Sequence, residues 1–155
     1  MTCCWGDGGN DILVGGIGNN DMSGGSGKDE FQFLSRKENT LSVFTTTDEI
    51  LRSDGGFGGF DTIYDFSAED RITISELDRN AVVTITTNAA GAAVITILGT
   101  AGNGQPADQV ITVFGITREQ LLAPGLDFIA IDNSFINTTN TVSTDGISTF
   151  TVGNA

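Results

Sequence analysis

Histidine is absent from this chain of 155 residues, and its absence removes much of enzyme chemistry. No Ser-His or Cys-His dyad can form, and no His-Glu-x-x-His zinc helix is available. One string, Gly24-Gly25-Ser26-Gly27, has the look of a nucleophile elbow but lacks the strand-to-helix turn that such an elbow needs. Paired carboxylates can hydrolyse a glycoside, yet nothing here suggests the long, cleft-bearing scaffold of that reaction. The chain therefore reads as not an enzyme. Basic residues are also few: seven Lys and Arg face 20 Asp and Glu, for a net charge of −13. That balance excludes a nucleic-acid footprint. The two cysteines, Cys3 and Cys4, are neighbours and make no disulfide framework. They are simple thiols, or one of them links to another chain. No run of about eighteen apolar residues exists, so no membrane span is expected. The opening MTCCWGDGG has neither the charged nor the apolar region of a secretory signal.

What the chain does hold is glycine and aspartate in strict order. Residues 6–14 read GDGGNDILV, residues 15–23 GGIGNNDMS and residues 24–32 GGSGKDEFQ, three nonapeptides without a gap. Gly6, Gly15 and Gly24 stand first in their units, and Gly9, Gly18 and Gly27 fourth. Asp11, Asn20 and Asp29 stand sixth, and the apolar Leu13, Met22 and Phe31 eighth. Glycine and aspartate are common turn formers, but turns alone do not demand a nine-residue period.

Each unit divides into a turn of six residues and a strand of three. Glycines let the backbone take positive φ and pack closely, so that carbonyl oxygens converge. The sixth residue adds a hard carboxylate. Calcium takes about six to eight such oxygens in a flexible cage, whereas the turns offer no His or Cys to zinc or copper. If two nonapeptides make one turn of a roll, residues 6–11 lie against residues 24–29, and Asp11 and Asp29 share an ion. The carbonyls of Gly6, Gly8, Gly25 and Gly27 then complete its shell. The middle turn lies on the opposite edge and carries Asn20 in place of aspartate, with Asp21 one place late, so its site is expected to be weaker or empty. Residues 1–78 hold fifteen of the twenty acidic groups and five of the seven basic ones, a charge of −10. Such self-repulsion opposes compaction unless cations neutralise it.

Phe31-Gln32-Phe33-Leu34 continues the third unit as a strand, and residues 35–54 are polar and irregular. A degenerate fourth unit comes next at residues 56–64, GFGGFDTIY, with Gly56, Gly59, Asp61 and Ile63 in their expected places. Beyond it the pattern alternates, as half-buried strands do. Residues 82–86 pair with 93–97 across the Asn88–Gly91 turn, and residues 110–114 form another strand. Thr117 caps a short helix over 118–122 that Pro124-Gly125 stops, and residues 128–131 make a core strand. The polar tail ends in a further alternating stretch, 147–152. There Ser148, Phe150 and Val152 share one face and must find a sheet edge, on this chain or on the next.

The repeat matches the pattern G-G-x-G-x-D-x-U-x of calcium-binding RTX proteins. With the phrase FDTIYDFSAEDRITI and then the hairpin, strand, helix and DFIAI, residues 6–131 resemble the C-terminal domains of secreted RTX proteins, such as those on serralysin-type metalloproteases and bacterial lipases. The resemblance implies an all-β fold: a short parallel β-roll of calcium-binding nonapeptide repeats, capped by an antiparallel β-sandwich, with one short helix. It implies a single domain over 1–155, with the roll at 6–75, the cap at 76–131 and a tail at 132–155. It carries calcium binding over to Asp61 and Asp65, and to Asp54 and Asp70 beyond them. It also implies a secreted, extracellular or cell-surface protein that leaves the cell unfolded through a type I exporter and folds when it meets calcium. Two departures stand out. Only three units are clean, and some 24 residues lie beyond the DFIAI strand. Two alternatives stand beside the calcium module: a surface-layer or filament subunit assembling as a homo-oligomer through its tail, and the export and folding domain of a larger secreted hydrolase.

Overall fold

The computed structural model describes residues 2–15, 18–34, 49–52, 59–75, 77, 81–98, 109–131 and 134–152. Its organisation starts from the eighth place of each repeat. Leu13, Met22, Phe31 and Ile63 are wholly buried. They lie on strands β2 (Asp11–Val14), β3 (Asn20–Ser26), β4 (Glu30–Leu34) and β6 (Gly59–Ile63). Successive side chains on a strand point to opposite faces, so one apolar residue per short strand suffices to mark the inward face.

From each of these strands to the next, the chain crosses to the facing sheet. Thus β1 (Thr2–Gly8), β3 and β6 lie in one sheet, and β2, β4 and β7 (Arg71–Ser75) in the other. Neighbours within a sheet are parallel and one pair of nonapeptides apart: Cys4 stands opposite Met22, and Leu13 opposite Phe31. The next step in each sheet is longer, from Met22 to Ile63 and from Phe31 to Ile72. It accommodates residues 35–58, of which only β5 (Glu49–Arg52) is described. That strand pairs with β2 on the side away from β4. Strand β3 runs through Gly24, Gly25 and Ser26 into what the repeat pattern assigns to the next turn, because these residues pair with β1.

Past residue 75 the described residues extend these two sheets and do not build a separate antiparallel cap. Strand β10 (Gln109–Val113) adds to β6 in parallel, and β11 (Ile129–Ile131) adds to β7 in parallel. Only then does one sheet turn antiparallel, through β9 (Ala93–Leu98) and β8 (Val82–Thr87), while β12 (Ser134–Phe135) pairs antiparallel with β11. The reason is the core. Ile111, Val113, Ile129 and Ile131 are buried in one cluster with Leu13, Met22 and Phe31, so closing the stack with new parallel strands covers apolar residues already there. The β8–β9 turn is tied by the Asn88 side chain, whose oxygen accepts from the N–H groups of Ala90 and Ala92. Helix α1 (Arg118–Leu121) begins at Thr117 with a reciprocal capping box to Gln120 and buries Leu121. On the outer face, the half-exposed rings of Trp5, Tyr64 and Phe114 form a near-parallel row, with centroids 6.3 and 5.9 Å apart.

The tail finds its edge on its own chain. Strand β14 (Ile147–Thr151) pairs antiparallel with β8, and β13 (Val142–Thr144) pairs with β14 in turn. Ser148 and Val152 are buried and Phe150 packs against the core, whereas Ile147 and Thr151 face out. Deleting residues 146–155 is therefore expected to lower stability by about 2–3 kcal/mol, from the lost burial of Val152 and Phe150, without changing the mass in solution. Urea denaturation and light scattering check this. An unchanged urea midpoint would show that the docked strand contributes nothing.

Candidate metal centre

The turns between strands stack in two columns, one along each edge of the paired sheets. The first column holds residues 6–11, 24–29 and 65–70. Its third member, DFSAED, has no glycine but keeps the six-residue length and the final aspartate. Because the strands after these turns are in register, the sixth-place aspartates fall one above another. The Asp11 N–H donates to Asp29 Oδ1 at 2.9 Å, and the Asp29 N–H donates to Asp70 Oδ1 at 3.0 Å. All three are buried. At the fifth place, Asn10 Oδ1 accepts from the Lys28 N–H at 2.9 Å. Asp65 closes the column from the other side: its carboxylate accepts from Ser23 Oγ and from the N–H groups of Gly24 and Gly25.

Glycine is required where the turns touch. Gly27 has φ +130°, and a methyl group there would run into the Gly9 carbonyl. Gly25, at φ +88°, faces the Asp7 carbonyl in the same way. Asp7 itself, in a place the repeat gives to glycine, is held at φ +102°. Gly6 and Gly24 lie against the second carboxylate oxygens of Asp11 and Asp29, and Gly6 also meets the Gly24 carbonyl. Gly8 pairs with Ser26. Carbonyl and carboxylate oxygens thus crowd together between residues 6–11 and 24–29.

The electrostatics of this column are unbalanced. Asp29 Oδ2 is buried and accepts no hydrogen bond. Burial holds the Asp29 carboxyl above the usual range, the Asp11 N–H works against this, and the charges of Asp70, Asp11 and Asp65 add to the rise. Asp70 is raised for the same first reason, burial, against donors from Asp29 and Ser67. Among the described residues, no three His, Cys, Asp or Glu side chains converge on one point. A cation here would draw on backbone carbonyls as well as on the carboxylates.

The second column shares two backbone features with the first and has a different chemistry. Gly59, at φ +107°, lies against the Gly18 carbonyl as Gly27 lies against Gly9. Asn19 Oδ1 accepts from the Phe60 N–H at 2.9 Å, as Asn10 does from Lys28. At the sixth place, however, the column reads Asn20 and Asp61, and Gln109, which stands opposite Gly59 in the register of β10, reaches Asp61 with its amide; all three are buried. Asp61 Oδ1 accepts from both the N–H and the side-chain amide of Asn20, each at 2.8 Å, and Oδ2 from the Gln109 amide at 2.7 Å. Burial pushes the Asp61 carboxyl up to about 7, against these three donors.

Compared with known protein families, curated proteins and solved structures, the chain matches none. The residues singled out by the sequence therefore divide by geometry alone. Asp11, Asp29, Gly6, Gly8, Gly25 and Gly27 come together, and Asp70 joins them as the next aspartate of the column. Asp65 secures the turn at Gly24 and Gly25. Asn20 and Asp61 meet on the opposite edge, and Asp54 lies outside the described residues. Asp21 points outward, where its carboxylate accepts from the Tyr64 hydroxyl at 3.2 Å. The place of Asp70 was open to a search for six-residue turns ending in aspartate. Gln109 belongs to no repeat, and no sequence signal marks it.

Proposed function

We propose that the chain is a secreted calcium-binding module of the RTX type, whose coiled nonapeptides form a short parallel β-roll. Calcium folds it after export through a type I exporter. The observation that carries this reading is Asp29 Oδ2, buried without a hydrogen-bond donor inside a column of three aspartates. A buried carboxylate oxygen with no donor is costly unless a cation answers it. The donors present suit calcium: all are hard oxygens, and a side chain on Gly6 or Gly24 would fill the space they face. Bound calcium supplies the positive charge that the column lacks. Asp11 and Asp29 would hold it together with carbonyls of the two glycine turns. Asp70 orients Asp29 through the N–H it accepts, and Asp65 fixes the backbone of Gly24 and Gly25.

Because these oxygens come together only in the folded chain, binding and folding form one equilibrium. Cytosolic calcium is scarce, so the acidic repeats would stay open for passage and close outside the cell. Calcium at about 100 times its dissociation constant stabilises the fold by about 2.7 kcal/mol per site, enough to decide a marginal domain. Circular dichroism of the full chain in chelator and in millimolar calcium tests this. The expected result is a gain in β signal and melting temperature with calcium. An unchanged spectrum and melting temperature after chelation would overturn the reading.

A further inference from the structure

We propose that the edge built from Asn20, Asp61 and Gln109 is a cation-free clamp, so that calcium is confined to the Asp11–Asp29 edge. The inference rests on the calcium reading for the location of the metal, but the clamp itself stands on hydrogen bonds alone. The two edges are a comparison within one molecule. Both have a positive-φ glycine at the fourth place packed on the carbonyl of the turn beneath, and both have an asparagine at the fifth place accepting the next turn's N–H. Among the described residues, the sixth place differs. Three carboxylates stand there on one edge; on the other Asn20 and Asp61 stand there, and the Gln109 amide reaches Asp61 from its place opposite Gly59.

That difference changes what each edge needs. On the first edge, carboxylates repel one another and an oxygen of Asp29 has no donor. On the second, each oxygen of Asp61 receives at least one N–H, at 2.7–2.8 Å, from groups that are themselves buried. A cation admitted there would have to displace these donors, and each would then be a buried N–H without its acceptor. The Asn20 side-chain amide donates to Asp61 Oδ1 and so ties the two turns together. The clamp also joins β3, β6 and β10 at one corner, so that part of the stack is held together without any ion.

Amide exchange by NMR on the full chain, in chelator and in millimolar calcium, tests the clamp directly. In calcium the Asn20 backbone N–H should exchange about tenfold or more slowly than an unbonded amide, as should the Asp11 and Asp29 N–H groups, and in chelator all three should lose protection together as the chain opens. Equilibrium dialysis should count the same number of calcium ions on Asp61→Asn as on the natural chain, and fewer on Asp29→Asn. Asn20 protection missing in millimolar calcium would overturn the proposal, as would a calcium ion lost on Asp61→Asn. Should Asp61→Asn not fold, exchange on the natural chain decides alone. A chain that binds no calcium yet protects Asn20 in chelator would sink the calcium reading and leave the clamp standing.

Discussion

Gly27→Ala is expected to destabilise the protein by about 3 kcal/mol or more. Two costs combine. A residue with a side chain held at φ +130° is strained by about 1–3 kcal/mol, and its Cβ would collide with the Gly9 carbonyl, which is backbone and cannot swing aside. Overpacking of that kind adds about 1–3 kcal/mol. Gly91→Ala is the control. It also has positive φ, +86°, but nothing lies within 4 Å of the added methyl, so only the strain remains, about 1 kcal/mol. Urea unfolding of both variants in calcium measures the difference. Equal losses would mean that residues 6–11 and 24–29 do not stack as described.

Without calcium, the protein should be more stable at pH 5 than at pH 8. Asp61 decides the size of the effect. Its carboxyl is pushed up to about 7 by burial, from an ordinary 3.8. Below pH 4 both the folded and the unfolded chain carry the proton, and the group is neutral in its effect. Between about 4 and 7 the unfolded chain releases the proton while the folded chain keeps it, so stability falls by about 1.4 kcal/mol per pH unit, roughly 4 kcal/mol in all. Above 7 no further loss comes from this group. Asp29 and Asp70, raised in the same direction, steepen the fall. Urea midpoints across this range in calcium-free buffer should show the slope, and Asp61→Asn should flatten it. A natural chain equally stable at pH 5 and pH 8 would refute the assignment.

The all-β class and the first column were legible because they rest on local period. A nine-residue repeat with glycine, aspartate and one apolar residue specifies a turn, a short strand and an inward face within a dozen residues. The pairing of residues 6–11 with 24–29 is then a matter of counting. The same logic placed the Asn88–Gly91 hairpin and the Thr117 cap, both set by near neighbours in sequence.

What counting could not reach was set by contacts across long separations. That residues 65–70 form the next turn of the first column, and that Asp61 lies over Asn20, depends on where the chain returns after residues 35–58. A local pattern carries no record of that return. The continuation of both sheets into β10 and β11 is likewise a choice between two ways of covering the same apolar strands. Either antiparallel or parallel neighbours would suit their alternating pattern, and packing over Ile63 and Ile72 selected the parallel one. Gln109 shows the limit most clearly. Its sequence neighbours say nothing of Asp61, and only the parallel register of β10 on β6 brings its amide to that buried carboxylate. The sequence by itself determined an acidic, repeat-built β protein with a column of aspartates to neutralise. The hydrogen bonds that Asp61 receives on the facing edge came from the tertiary structure, because a bond between residues 48 apart exists only once the sheets have formed.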